Sequence, residues 1–369
     1  GCESFCLEYR KKYLNPGEMN GGRFLGCVLK PFGWLYGGVT CLRNLMYDHG
    51  LKKQKTFPIP VISVGNITVG GTGKTPHTEY LVSFLGQNHR VAVLSRGYGR
   101  RTKGYILAGA GSNAALIGDE PNQIHEKFPT VPVAVCEDRC KGIERLMEDV
   151  APEAVILDDA FQHRRVRPSL NILLVDYNRN IMDDSMLPCG RLRENPSGRS
   201  RADMIVVTKC PWDLQDSAME KLERTLRVAE RQQVFFTSLS YGQPVTFDGG
   251  APVDIVEGTP ILLVTGIANP QPLRIELERL KANVTMHAFP DHHVFSRKDI
   301  DTVVSILDSM GPNAVVVTTQ KDQSRLKGMD LDRTLTDRIA VMPVKVSFLK
   351  NGEAFRNSVE EHVSGWKKD

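Results

Sequence analysis

The stretch Ile59–Pro76, IPVISVGNITVGGTGKTP, constrains this chain more than any other. Ile59, Val61, Ile62 and Val64 form a β-branched apolar run that reads as a buried parallel strand. A glycine-rich turn follows, then Lys74-Thr75, then HTEYLVSFLG with helical apolar spacing. Strand, glycine loop and helix together aim backbone N–H groups and a helix N-terminus at phosphate. Gly70, Gly71, Thr72 and Gly73 supply the loop, Lys74 reaches the terminal phosphates, and the Thr75 hydroxyl is a ligand for Mg²⁺. Pro76 is compatible, because the first helical turn needs no N–H. The strict spacing G-x-x-x-x-G-K-[ST] would place glycine at position 68, where this chain has Thr68. The alternative, a glycine turn without a ligand, leaves the agreement of strand, lysine, hydroxyl and helix unaccounted for. The segment reads as a nucleotide site on a P-loop NTPase-like α/β fold.

A second apolar run, Val155-Ile156-Leu157, ends in Asp158-Asp159. Acidic residues at the carboxyl end of a strand are where such a fold holds Mg²⁺ beside the phosphate loop. Between the two segments, LIGDEP (116–121) looks like a loop at a strand end, with a solvated turn as the plain alternative. SRGYGRR (95–101) brings Arg96, Arg100 and Arg101 on a glycine-rich loop, and LPCGRLRENP (187–196) brings Arg191 and Arg193. Arginine suits bidentate contacts to phosphate, although surface pairing is its commoner use.

Further strands are expected at Asn171–Val175, Met204–Thr208, Ile261–Thr265 and Ala314–Thr318. They alternate with helical stretches at Ser217–Arg231 and Leu273–Lys281, which indicates a parallel α/β chain throughout. A shift from strand-like VFFTSLSY to turn-rich GQPVTFDGGAPVD marks a junction near residues 225–250, and EEHVSGWKKD closes the chain as a helix with a tail. With 369 residues, two domains are expected. The division reads as an extension (1–20), an amino-terminal segment (21–55), a P-loop domain (56–235) and a smaller α/β domain (236–369). Eight cysteines without a C-x-x-C pair suggest reduced thiols in a cytosolic compartment. Cys136 and Cys140 could share a helix face, as small core residues.

The net charge of +4 is uneven: residues 1–55 hold nine Lys/Arg against four Asp/Glu, and the rest nets −1. That excludes a broadly polycationic, nucleic-acid-binding body. Residues 24–42, FLGCVLKPFGWLYGGVTCL, are apolar except for Lys30 and are interrupted by Pro31. They suit neither an uninterrupted transmembrane helix nor a cleaved signal. Two short helical pieces with an apolar face are expected, either packed on the protein's own core or lying on an anionic lipid surface. Trp and Tyr flanked by Lys and Arg favour the interface.

Taken in order, GNITVGGTGKTP, SRGYG, GDEP, DDAFQHR, the LP-x-G-x-LRE run, TGIANP and FPDHHVF make the chain similar to the tetraacyldisaccharide 4'-kinase family. The resemblance runs from about Phe24 to beyond Lys321. It implies a P-loop domain and a smaller α/β domain with the active site in the cleft between them, and an amino-terminal membrane-facing helix. The implied reaction moves the γ-phosphate of ATP to the 4'-hydroxyl of a tetraacyl disaccharide 1-phosphate, with Mg²⁺. The implied place is the cytoplasmic face of the bacterial inner membrane, with no obligatory protein partner and no nucleic acid. Carried over by motif, Lys74 and Thr75 belong to the phosphate loop and Asp119 is the proton acceptor. Glu120 lies beside Asp119 and serves the metal with Thr75, Asp158 and Asp159, and Gln162 and His163 lie nearby as substrate or phosphate contacts with Arg96. Arg193 contacts phosphate, and His292 pairs with Asp119, with the adjacent His293 as the open alternative. Three departures touch none of these groups: Ala160 for glycine, Arg191 for proline and Gln320 for glutamate. The competing reading is a P-loop GTPase or ATPase acting as a targeting or metal-insertion switch. The chain offers TKCP and TQKD, but no N-K-x-D run to read guanine.

Overall fold

The computed structural model of the chain describes residues 21–291 and 293–366. The expected extension 1–20 and His292 therefore lie outside the described residues. In chain order the first elements are α1 (Gly21–Asp48), β1 (Val61–Gly65), α2 (Lys74–Asn88), β2 (Val91–Ser95), β3 (Ile106–Leu107), α3 (Ala114–Ile117), α4 (Asp119–Lys127) and β4 (Val133–Val135). Next come α5 (Arg139–Val150), β5 (Ala154–Asp158), β6 (Leu170–Asp176), β7 (Met204–Thr208), α6 (Asp216–Leu226) and β8 (Gln233–Tyr241). The remainder is β9 (Val245–Thr246), β10 (Pro260–Thr265), α7 (Gln271–Arg279), β11 (Asn283–Ala288), α8 (Arg297–Ser309), β12 (Val315–Thr319), α9 (Gln320–Leu326), α10 (Arg333–Thr336), β13 (Ile339–Met342), β14 (Val344–Lys350) and α11 (Gly352–Ser364).

The chain divides into two compact units. One gathers the described residues up to Lys74, Asp159–Ser238 and those from Phe348 onward; the other holds Thr75–Asp158 and Leu239–Ser347. In the first unit β1, β6, β7 and β8 pair side by side and parallel, with Ile62 opposite Leu170, Ile172 opposite Met204 and Met204 opposite Gln233. The uninterrupted apolar runs VISVG, LNILLVD and MIVVT are buried along their whole length, as strands covered on both faces must be. Because these strands run parallel, Gly65, Asp176 and Thr208 all end at one edge. That edge carries the chemistry described below.

In the second unit β5, β2 and β4 pair parallel, with β3 antiparallel on β4. A separate sheet runs β11-β10-β12-β13 in parallel, with β9 antiparallel at its end. The period of two along β10 sorts its side chains. Leu262 and Val264 pack with Ile300, Val303 and Leu307 of α8, and Ile261 and Leu263 pack with Leu273 and Leu277 of α7.

The strands expected from the sequence are present, their ends moved by at most one residue except in β1, which begins at Val61, two residues after the apolar run starts at Ile59. Helix α6 stops at Leu226 instead of running to Arg231. Arg227 adopts φ +49° and donates its N–H to Arg224 and Glu223, which closes the last turn. GDEP is not a strand-end loop: Gly118, at φ +94°, breaks α3 from α4, and Asp119, Glu120 and Pro121 form the first turn of α4. Acidic residues there suit the positive end of the helix, and proline lacks only an N–H the turn does not use. Cys136 and Cys140 share no helix, since Cys136 follows β4 while Cys140 lies in α5, but both are buried.

Residues 24–42 form no pair of helical pieces but part of one helix, α1, which continues through Pro31. Its docking side is polar. Tyr36 Oη donates to Arg193 O (2.9 Å), Arg43 Nη2 to Gln162 O (2.9 Å) and Asn44 Nδ2 to Glu194 Oε2 (3.1 Å), while Asp48 pairs with Arg164 at 2.8 Å. The apolar stripe on the other side, Phe32, Leu35, Val39 and Leu42 with Trp34, is exposed, Trp34 by 77% and Leu35 by 67%. No helix among the described residues is long and apolar enough to cross a membrane.

Candidate active site

The first unit builds the phosphate loop on the carboxyl end of β1. Gly65 has no room for a side chain, since a Cβ there would lie 2.7 Å from Phe161 Cβ. Its absence lets the DDAFQHR segment press against the root of the loop. Gly70 and Gly73 take φ of +107° and +85°, a region closed to most side chains. The loop is tied from within by Asn66 Nδ2 donating to Thr72 Oγ1 at 2.7 Å. On one flank the LRE segment holds it: Val69 N donates to Arg191 O, and Arg193 N donates to Ile67 O, both at 2.8 Å.

At this loop the structure brings together Lys74, Asp159, Arg193 and Gln162. Lys74 Nζ lies 3.7 Å from Asp159 Oδ1, and Arg193 Nη1 lies 3.1 Å from both Asp159 oxygens. Gln162 Nε2 donates to Asn66 O (2.7 Å) and to Glu194 Oε1 (2.8 Å), which locks the loop root to the LRE segment. Glu194 is buried and is further held by Arg201 at 2.7 Å. Asp159 itself sits at φ +49°. This strained position turns its carboxylate toward two cations, the charges a bound phosphate would take over.

The second unit holds the other carboxylates. Asp158 is buried at the end of β5, where Oδ1 accepts from Thr78 Oγ1 (3.1 Å) and Oδ2 from Ser95 Oγ (3.3 Å). On α4, Asp119 Oδ2 accepts from Arg325 Nε (2.9 Å) and Nη2 (2.7 Å), and Glu120 pairs with Lys321 at 3.1 Å. Arg325 is 6% exposed and its Nη1 reaches Asp322, fully buried, at 2.8 Å and Gly266 O at 2.9 Å. Burial alone would pull the guanidinium down, but Asp119, Asp322 and Glu120 together raise it above its ordinary value. Asn122 and Ser324 join α4 to α9 at 2.7 Å beside this pair.

The remaining sequence candidates are placed elsewhere. Arg96 is exposed just beyond β2, and Arg100 is drawn to Glu137 at 2.5 Å. His163 lines a cavity of about 440 Å³ with Ser63, Arg164 and Asn171. His293 is committed to Asp299, Nε2 to Oδ2 at 3.0 Å, and stacks on Phe289. Asp299 also closes the capping box of α8 with Ser296, and these bonds hold its carboxyl down at about 2. Arg325 and Lys321 were not singled out from the sequence. Their signal was T-x-K-D-x-x-R, in which Thr319 caps α9 and Asp322 anchors the arginine three residues on.

A glycine loop on a buried parallel strand, its lysine facing a strand-end aspartate and an arginine, defines a P-loop-type α/β protein. Over residues 25–364 the chain matches the family described as Tetraacyldisaccharide-1-P 4'-kinase. It is 43% identical over 356 residues to the tetraacyldisaccharide 4'-kinase of Bacteroides thetaiotaomicron, covering 92% of this chain and 93% of that one. The corresponding kinase of Phocaeicola vulgatus is 45% identical over 345 residues, covering 91% and 94%. Among solved structures, the "apo" form of LpxK from Aquifex aeolicus in complex with ATP matches with a TM-score of 0.73 and 30% identity, covering 93% of this chain and 99% of that one. The chain belongs to the tetraacyldisaccharide 4'-kinase family, kinases of lipid A biosynthesis.

Proposed function

We propose that this kinase transfers the γ-phosphate of ATP to the 4'-hydroxyl of a tetraacyl disaccharide 1-phosphate at the cytoplasmic face of the bacterial inner membrane, to which α1 attaches it peripherally. The observation that carries the reading is the cluster of Lys74, Arg193 and Asp159 at the glycine loop. Phosphoryl transfer needs positioning and charge neutralisation more than covalent chemistry. Lys74 and Arg193 supply the positive charge, exchanging the Asp159 carboxylate for nucleotide phosphate as ATP enters. N–H groups of the loop and the amino terminus of α2 receive the other phosphate oxygens.

Thr75, Asp158 and Asp159 offer oxygen ligands only, the donor type a hard divalent cation takes. Among the described residues no group of three or more His, Cys, Asp or Glu could hold a metal ion. Mg²⁺ would bring its remaining ligands with it, from the nucleotide and from water. Held by these oxygens, Mg²⁺ would supply charge neutralisation to the nucleotide phosphates. Glu120, tied to Lys321, stands outside that set and orders the first turn of α4 instead.

Asp119 accepts the proton of the 4'-hydroxyl as the bond to phosphorus forms. Arg325 fixes the rotamer of Asp119 through two bonds to one oxygen. His293 spends Nε2 on Asp299, and the pairing of His292 with Asp119 rests on the family motif alone. The apolar stripe of α1 lies on the membrane while its polar side holds Arg193, Gln162 and Glu194. The test is phosphate transfer from γ-labelled ATP to tetraacyl disaccharide 1-phosphate in mixed micelles. A labelled 4'-phosphomonoester that requires both Mg²⁺ and Lys74 is the expected product. ATP hydrolysis with no labelled lipid would instead favour the switch ATPase.

A further inference from the structure

The carboxyl end of β7 carries a lysine to which the reaction above gives no task. Lys209 has φ +59°, a left-handed conformation that a non-glycine residue holds only where its surroundings impose it. That turn sends the side chain back to the phosphate loop. Lys209 Nζ donates to Gly71 O, and at 2.7 Å to Oδ2 of Asp176, the last residue of β6. The other oxygen of Asp176 accepts from Asn178 N at 3.0 Å, so the carboxylate is pinned to its own strand end. One residue earlier the buried Thr208 hydroxyl donates to Thr72 O at 2.9 Å.

Two consecutive residues of β7's end therefore take up two consecutive carbonyls of the glycine loop. A trans peptide directs its C=O and the following N–H to opposite sides. Holding the Thr72 carbonyl at β7 turns the Gly73 N–H away from β7, and holding the Gly71 carbonyl fixes the plane before it. An ammonium group suits the task, since its three donors can serve a carbonyl and a carboxylate at once. Glycines at 70, 71 and 73 give the loop many alternative shapes, and each costs nucleotide affinity when the right one must be selected.

We propose that Lys209 is a positioning residue for the nucleoside triphosphate, bracing Gly71 against Asp176 so that the loop is shaped for phosphate before ATP binds. The inference rests on the reading of the loop as the ATP site. It assigns Lys209 no contact with the lipid acceptor.

The experiment compares Lys209→Met, Lys209→Arg, Asp176→Asn and Lys74→Ala in the full chain. For each variant it measures ATP binding by a fluorescent ATP analogue, KM for ATP, KM for lipid and the melting temperature. Lys209→Met should weaken ATP binding and raise its KM about tenfold, the scale of one charged hydrogen bond, with lipid KM unchanged. Asp176→Asn should shift the same two quantities in the same direction, and Lys209→Arg should restore most of the loss. A Lys209→Met protein that melts normally and binds ATP like the wild type overturns the inference, as does an equal rise in both KM values. Lys74→Ala separates the two readings. If it too leaves ATP binding intact, the loop is not the ATP site; if it abolishes binding while Lys209→Met does not, only the role of Lys209 fails.

Discussion

Arg325 shows how the site is stabilised at the scale of single residues. Its guanidinium, 6% exposed, is shared between Asp119 and the fully buried Asp322. Arg325→Gln would leave two carboxylates without their cation, and removing one partner of a buried pair costs about 3–5 kcal/mol. Urea denaturation should show a loss of that order, whereas Lys321→Gln, which breaks a more exposed pair, should cost under about 1 kcal/mol. Comparable losses in the two variants would mean that the Asp119–Arg325–Asp322 chain is no stronger than a surface pair. Asp119 is legible in the sequence through GDEP, but its partner is not. The two residues stand 206 positions apart, and no spacing rule links a carboxylate to an arginine at that separation. What the sequence does carry is the local half, Thr319 and Asp322 at cap spacing ahead of Arg325. Likewise Lys74, Asp159 and Arg193 are each legible through their own motifs, but their meeting at one place is not, because they stand on separate stretches of the chain.

Helix α1 carries the clearest element-scale consequence, because its apolar stripe is the side that faces away from its docking contacts. Trp34→Asp combined with Leu35→Asp should reduce co-sedimentation with anionic vesicles by at least about tenfold, since burying one such side chain is worth roughly 1.5–3 kcal/mol. Melting temperature should not move, because neither residue packs on the unit. Unchanged vesicle binding would remove the membrane role from this face. Composition made the helix readable as interfacial, but Pro31 argued for a break that the backbone does not make. Pro31 lies on the exposed side, and the polar anchors from Tyr36 to Asp48 hold the chain helical beyond it. At the other end of the chain, α11 carries His362, whose burial depresses its pKa from 6.5 despite the opposing pull of Asp203. A depressed histidine favours the folded state above 6.5, and that contribution is lost as pH falls toward the folded-state value. His362→Gln should therefore flatten the fall in melting temperature below about pH 6.5. An identical acid slope in the variant would show that other groups govern it.

At the scale of the whole molecule, each unit is assembled from stretches far apart in the chain. The first leaves the sequence at Lys74, resumes at Asp159 and returns again from Phe348. Apolar runs reveal the strands one by one, and so the α/β class. They do not reveal that β1 pairs with β6, because buried parallel strands look alike and pairing is decided by packing on both faces. The family, by contrast, was legible from the order of its motifs, which survives whatever the pairing. The proposed function divides labour between the loop that would hold ATP and the carboxylate that would take the proton. Its most direct measurement sets turnover against ATP affinity in Asp119→Asn. Turnover should fall by about 10²–10⁴-fold, the usual yield of a positioned base, with ATP affinity close to that of the wild type. A parallel loss of affinity and turnover, or turnover that survives the substitution, would contradict it.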